Sequence, residues 1–315
     1  MYLLKKAEHF FKIVFYNTLD VLLKLVTLFC NHVPEQILAG IFTAGASIFF
    51  RFSRRYRKRI KKNLQFAYGP SLNSNTFDVI TEKLAYNCGI SALELLFSAT
   101  NRREMTLNSI RIQGRENLDR ALEKGKGVVA VSAHLGNFTL IGPKMVAAGY
   151  PFSMLVKELK YKGIARTLRI IQDMQKGRYI YIKPWREALR QILTCLKKKE
   201  IVCLLSDERK GQSEVQVDFF GHPVQTATGA AVFSLKTGAP LVPIFIVRHE
   251  NGSHTIFIEP QLDVPLNGNQ KEDILSLTAA STKVIEDYVK KYPDQWFWLN
   301  DRWKLKSKPR AHNRL

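Results

Sequence analysis

Nothing in this sequence is spaced for a metal or a redox pair. Its four cysteines, Cys30, Cys88, Cys195 and Cys203, stand far apart without a CxxC pair or Cys/His spacing. That gives no support to a zinc site or a disulfide framework and fits a reduced, cytosol-facing location. Long apolar runs are also missing. Residues 10–33 are rich in Phe, Leu and Val but broken by Lys12, Asp20 and Lys24, which a spanning helix would bury at several kcal/mol. Residues 36–50 carry no charge, yet fall short of the roughly 20 apolar residues that cross a bilayer. The first segment reads as amphipathic and the second as a helix lying in a membrane interface or entering one leaflet, and the N-terminus, lacking a clean apolar core and small-residue cleavage site, reads as retained rather than cleaved. Acid is scarce: 27 Asp+Glu against 48 Lys+Arg leave a net charge of +21, which calls for negatively charged partners. No internal repeat or low-complexity tract is present, and 46% hydrophobic with 24% charged residues describes a folded globular chain.

The charge is concentrated where it matters. Directly after Phe50, residues 51–62 place eight basic side chains among twelve with no acid, next to an apolar run. A solvated helix face has the same composition, but the adjacency favours lipid phosphates, each basic group near such a surface contributing about 1 kcal/mol. Nucleic acid is the competing partner. Against it, the cluster has neither a helix-turn-helix nor an RNP-type pattern and no interleaved stacking aromatics. A further basic, acid-free stretch occupies residues 302–315.

Residues 76–97 repeat apolar positions near the helical period after a Gly-Pro-Ser-Leu-Asn-Ser-Asn loop, which predicts a helix. Short apolar runs follow at 127–134, 152–157, 178–183, 201–207, 240–249 and 254–260, separated by helical patterning at 160–174, 185–199 and 228–238. This alternation predicts an α/β domain whose sheet is mixed and largely parallel, flanked by helices, behind an N-terminal helical membrane-associated segment. The mixed character comes from Glu250-Asn-Gly-Ser253, which reads as the turn of an antiparallel hairpin. The expected division is 1–62 for membrane helices with their basic border, 63–305 for the α/β domain and 306–315 for a basic tail.

In such sheets ligands gather beyond the carboxyl ends of the strands. His134 ends one predicted strand ahead of a Gly136-Asn137 turn, so its imidazole can face a cleft and transfer protons. A lone histidine is more often structural, and strand-end placement raises the odds of a functional one. Thr226-Ala-Thr-Gly229 reads as a capped helix start able to hold a phosphate or an oxyanion, or as a cap alone. Phe219-Phe220-Gly221 reads as a hydrophobic turn in which Gly221 permits positive φ. Of the tryptophans Trp296, Trp298 and Trp303, the second is assigned to packing; the other two suit either packing or a membrane interface.

The ordered series of motifs resembles the lysophospholipid acyltransferase superfamily, and within it the bacterial lipid A biosynthesis acyltransferases. The resemblance runs almost the whole length. It is carried by the basic stretch before Asn63-Leu-Gln-Phe-Ala67, His134-Leu-Gly-Asn-Phe, Val156-Lys157, Leu205-Ser-Asp-Glu208 and Phe219-Phe-Gly-His-Pro-Val. It continues through Thr226-Ala-Thr-Gly229, Thr237-Gly-Ala-Pro-Leu-Val-Pro243 and Tyr292-Pro-Asp-Gln-Trp-Phe-Trp-Leu-Asn-Asp-Arg-Trp-Lys304.

The resemblance implies acyl transfer from an acyl-carrier protein or CoA thioester to a hydroxyl of a membrane glycolipid, a lipid A precursor first, or of a phospholipid or lyso-lipid. It implies a cytoplasmic-face, inner-membrane location, no nucleic acid partner, no metal and no bound cofactor beyond the acyl thioester as co-substrate. His134 would be the general base, and Asn137, Lys157, Arg166, Thr228 and Gly229 would bind substrate. One departure stands out: the family places a carboxylate five positions after the histidine, and here that position is Thr139. A hydroxyl can accept from the ring N–H but cannot support an imidazolium. Asp207 and Glu208 are the candidate replacements, with Glu208 favoured. The other reading is a non-catalytic lipid-binding relative.

Overall fold

The computed structural model describes residues 29–69, 72–157, 162–208 and 214–303, except for the side chains of residues 162–164 and 214. The expected first helix at residues 10–33 falls almost wholly, and the tail at 306–315 entirely, outside this set. Within it the chain runs α1 (Glu35–Phe52), α2 (Arg54–Tyr68), α3 (Ser74–Phe97), α4 (Arg103–Asn108), β1 (Ile110–Gln113), α5 (Arg115–Glu123) and β2 (Val128–Ser132). Then follow α6 (Ile141–Ala147), β3 (Phe152–Val156), α7 (Lys162–Met174), β4 (Arg178–Tyr181), α8 (Trp185–Lys197) and β5 (Ile201–Leu205). The last part comprises β6 (Glu214–Phe219), β7 (His222–Ala227), α9 (Gly229–Thr237), β8 (Leu241–Arg248), β9 (His254–Ile258) and α10 (Gln270–Lys291).

Seven strands form one sheet in the order β1-β9-β8-β2-β5-β3-β4. Every pairing is parallel except β8 with β9, the hairpin expected at residues 250–253. β2 is buried at all five positions, as strands covered by helices on both faces require. Its alternate side chains feed two cores. Val128 and Ala130 pack with Leu118, Ile141 and Met145 on one face; Val129 and Val131 pack with Ile192, Ala230 and Leu277 on the other.

A third core lies apart from these two. Ile60 and Leu64 of α2, Leu84 of α3, Phe219, Ile285, Trp296, Trp298 and Trp303 share it. All three tryptophans are buried, so Trp296 and Trp303 join Trp298 in packing. Asn63 ties α2 to this core by donating to the carbonyls of Trp298 at 2.7 Å and Asn300 at 2.6 Å. The basic helix therefore runs through residues 62 and 63 without a break and is part of the folded body.

Two features lie outside the expected strands. β1 is a four-residue edge strand, and β6 with β7 makes a separate antiparallel hairpin. Its two-residue turn is Phe220-Gly221, at φ 55 and 71, the positive pair that matches a right-twisted hairpin.

α1 and α2 meet at an 83° bend, and among the described residues no single helix is long and apolar enough to span a membrane. α1 leaves Ile37, Ile41, Ile48 and Phe52 exposed at helical spacing.

Candidate active site

Parallel pairing of β2 with β5 sets the centre of the site. The register matches Ser132 with Leu205, and two residues further along each chain stand His134 and Asp207. Ser206 N–H donates to Ser132 O at 2.9 Å, carrying the match one step past the strands. His134 Nδ1 lies 2.8 Å from Asp207 Oδ1. The other carboxylate oxygen accepts from the His134 backbone N–H at 3.0 Å and from Trp296 Nε1 at 2.8 Å. Asp207 is fully buried, whereas the His134 side chain keeps 20% of its surface exposed.

Electrostatics make this a charge-supported dyad. Burial favours a neutral Asp207, but the His134 ring and the hydrogen bonds from His134 and Trp296 outweigh it and hold the carboxyl below its ordinary range. Burial likewise disfavours a charged His134, and is outweighed by Asp207, through charge and hydrogen bond, with Glu208 adding; the imidazole pKa is raised above 6.5. An ionised carboxylate only accepts, so Nδ1 carries the proton and Nε2, on the far side of the ring, keeps its lone pair.

Glu208 does not orient the ring. Favoured from the sequence for that place, it instead faces Nε2, with Oε1 at 3.9 Å, beyond hydrogen-bond range. The difference is one residue of strand register, which sends neighbouring side chains to opposite sides. Thr139 does not bond the ring either: its hydroxyl donates to Asn137 Oδ1 at 2.5 Å.

Asn137, expected to bind substrate, turns inward. It is 2% exposed, and its amide nitrogen donates to Glu94 Oε2 at 2.9 Å and Ser91 O at 3.2 Å. Lys157 is exposed just past β3, at the strand ends where His134 sits, and Arg166 is exposed on α7. Thr228 is buried at the start of α9 and its carbonyl accepts from Val232 N–H at 2.9 Å, but its side chain does not cap the helix. Gly229 packs beside Leu204 of β5.

Two residues were not expected at the centre. Trp296 holds Asp207, as above. Arg302 is 2% exposed; its Nη1 donates to Gln225 O at 2.9 Å, its Nη2 to Thr226 Oγ1 at 2.7 Å, and its guanidinium lies over the Phe219 ring. Burial lowers its pKa to about 10, opposed by the attraction of Asp207 and Glu208, so a buried cation backs both carboxylates. The sequence signal was the aromatic-basic block at 292–304, read there for packing and membrane contact.

The His134 turn is fixed by the chain near residue 296. Phe297 N–H donates to His134 O and Gly136 N–H to Gln295 O, both at 2.9 Å. Gly136 sits at φ +56, and a Cβ there would meet Ile246 O at 2.2 Å. Gly136→Ala is expected to lose about 1–2 kcal/mol from the left-handed backbone alone, and more from the collision. Urea unfolding of the variant measures this as a lower midpoint at unchanged slope.

The family model described as bacterial lipid A biosynthesis acyltransferase matches residues 6–305. The chain is 26% identical over 281 residues to a phosphatidylinositol mannoside acyltransferase of Mycolicibacterium smegmatis, covering 86% of each. It is 31% identical over 287 residues to the lipid A biosynthesis lauroyltransferase of Escherichia coli K12, and 24% identical over 279 residues to the palmitoleoyltransferase of the same organism. In both cases 87% of each chain is covered.

Proposed function

Because this chain belongs to the bacterial lipid A biosynthesis acyltransferase family and is an acyltransferase, we propose that it moves a fatty acyl chain from a thioester to a glycolipid hydroxyl with His134 as base. The single observation that carries this is the His134–Asp207 pair at the carboxyl ends of the central strands β2 and β5, with Nε2 turned away from Asp207 and with Glu208 Oε1 at 3.9 Å from it. The acceptor hydroxyl places its proton on Nε2 as its oxygen attacks the thioester carbonyl. The tetrahedral intermediate collapses with cleavage of the C–S bond, and the imidazolium returns the proton to the leaving thiolate. Asp207 supports the positive ring through both steps.

The donor is an acyl-carrier protein or CoA thioester, and the net +21 charge favours either as an acidic partner. The acceptor is an anionic glycolipid. Two kinds of relatives, named for lipid A and for phosphatidylinositol mannoside, share that chemistry of sugar plus phosphate. Lys157 and Arg166 are the groups proposed to meet its phosphates. The test is to supply purified, detergent-solubilised protein with acyl-carrier protein or CoA thioesters and bacterial membrane lipids. A lipid heavier by one acyl chain, with release of free thiol, is expected; absence of both across donors and acceptors refutes the reading.

The exposed apolar face of α1 and the basic α2 beside it support seating on the cytoplasmic face of the inner membrane. Flotation with vesicles containing phosphatidylglycerol should carry the protein upward, more weakly at high salt. Ile41→Ser with Phe52→Ser removes two side chains, each contributing about 1.5 kcal/mol or more when fully buried, so binding should fall at least about tenfold. Unchanged flotation would exclude α1 as the contact.

A further inference from the structure

Behind the His134 turn lies a buried polar cluster that the acyl-transfer steps leave unused. Glu94 on α3 receives both guanidinium arms of Arg248, Nη1 at Oε1 and Nη2 at Oε2, the latter at 2.7 Å. Arg248 is 6% exposed and Glu94 14%. The same Oε2 accepts from Asn137 Nδ2, and His254 Nε2 stands 3.4 Å from it. Burial lowers the His254 pKa to about 4, with Glu94 opposing and Arg248 and His249 adding, so that ring is neutral and the ion pair has no third charge. Gln295 closes the cluster: its side chain accepts from Arg248 N at 2.9 Å and donates to Arg248 O at 2.8 Å, while its own carbonyl takes Gly136 N–H.

A buried ion pair adds little stability over apolar side chains of the same volume, so its presence calls for a geometric reason. Asn137 supplies one. It lies three residues after His134, and its two amide atoms are occupied by Glu94, Ser91 O and Thr139 Oγ1. Thr139, at the position where the resemblance expects a carboxylate, thereby becomes the last link of a relay from Arg248 through Glu94 and Asn137.

We propose that Glu94, oriented by Arg248, is a positioning residue for the transfer: through Asn137 it fixes the turn that carries His134, so that Nδ1 stays on Asp207 and Nε2 stays aimed at the acceptor. The proposal rests on the acyl-transfer reading for its kinetic readout only. His134 is faced by Asp207 and Glu208, and its titration reports whether the Asp207 contact is held.

The test compares wild type with Glu94→Leu/Arg248→Met, which removes both charges so that neither is left alone in the interior. Kinetics use the donor and lipid that wild type acylates, and the His134 ring is titrated by NMR. The double variant should keep a cooperative thermal transition, lose more than about tenfold in kcat with KM changed less than about threefold, and show a His134 midpoint moved down towards that of an unsupported imidazole. A merely structural pair would move the thermal midpoint and leave the His134 midpoint in place. An unmoved His134 midpoint, or a kcat within twofold of wild type, overturns the proposal. Should the double variant not fold, Asn137→Ser, which leaves the ion pair intact, is read by the same criteria. If wild type acylates no lipid, the acyl-transfer reading fails, and the His134 titration alone decides the positioning role.

Discussion

His134→Ala is expected to reduce lipid acylation by about 10² to 10⁴ in kcat while vesicle binding is unchanged, the loss that follows when a positioned general base is removed. The wild-type pH profile belongs to the same expectation. A base works as the neutral imidazole, which is populated above its pKa, so kcat/KM should rise with pH. Since Asp207 and Glu208 together outweigh burial and raise the His134 pKa, the midpoint of that rise should lie above 6.5. A variant that keeps full turnover, or a profile flat through this range, would remove His134 from the mechanism.

Asp207→Asn should cost nearly as much, about 10² to 10⁴ in kcat, through the tautomer of the base. The oxygen Oδ2 accepts two N–H groups, from the His134 backbone and the Trp296 indole. An asparagine must keep its carbonyl oxygen there, because an NH₂ would meet two donors. Its NH₂ then faces His134 Nδ1 and donates to it, which forces the proton onto Nε2 and removes the lone pair a base needs there. Residual activity should also titrate lower than in wild type, since burial continues to disfavour the cation and the main opposing charge is gone. Glu208→Gln, by contrast, is expected to cost less than about tenfold, because Glu208 makes no hydrogen bond to the ring. If Glu208→Gln proved the more damaging of the two, the assignment of partners would be reversed.

The sheet was legible because each of its longer strands is a short apolar run ended by turn residues, and in β2 the one polar residue, Ser132, comes last and leaves the pattern intact. β1 was missed since its Ile-Arg-Ile-Gln reads as half exposed, and β6–β7 because polar residues dominate its pleat outside Val215, Val217 and Val224. His134 was singled out from its place at a strand end, where the structure has it. The choice between Asp207 and Glu208 required the pairing of β2 with β5, which is a long-range fact: counting two residues past Ser132 and Leu205 reaches Asp207. Glu94 was invisible for a similar reason. On the sequence it is one carboxylate of a long helix, and its partners lie at 137, 248 and 254.

His134 O is bonded to Phe297 N–H, Gly136 N–H to Gln295 O, and Asp207 to Trp296. Synthesis proceeds from the N-terminus, so the basic helix α2 is made early and the residues that lock the histidine are made among the last. During translation the basic helix is therefore complete well before the turn that carries His134 can be clasped. A polypeptide stalled on the ribosome short of residue 295 would hold His134 and Asp207 without their clasp.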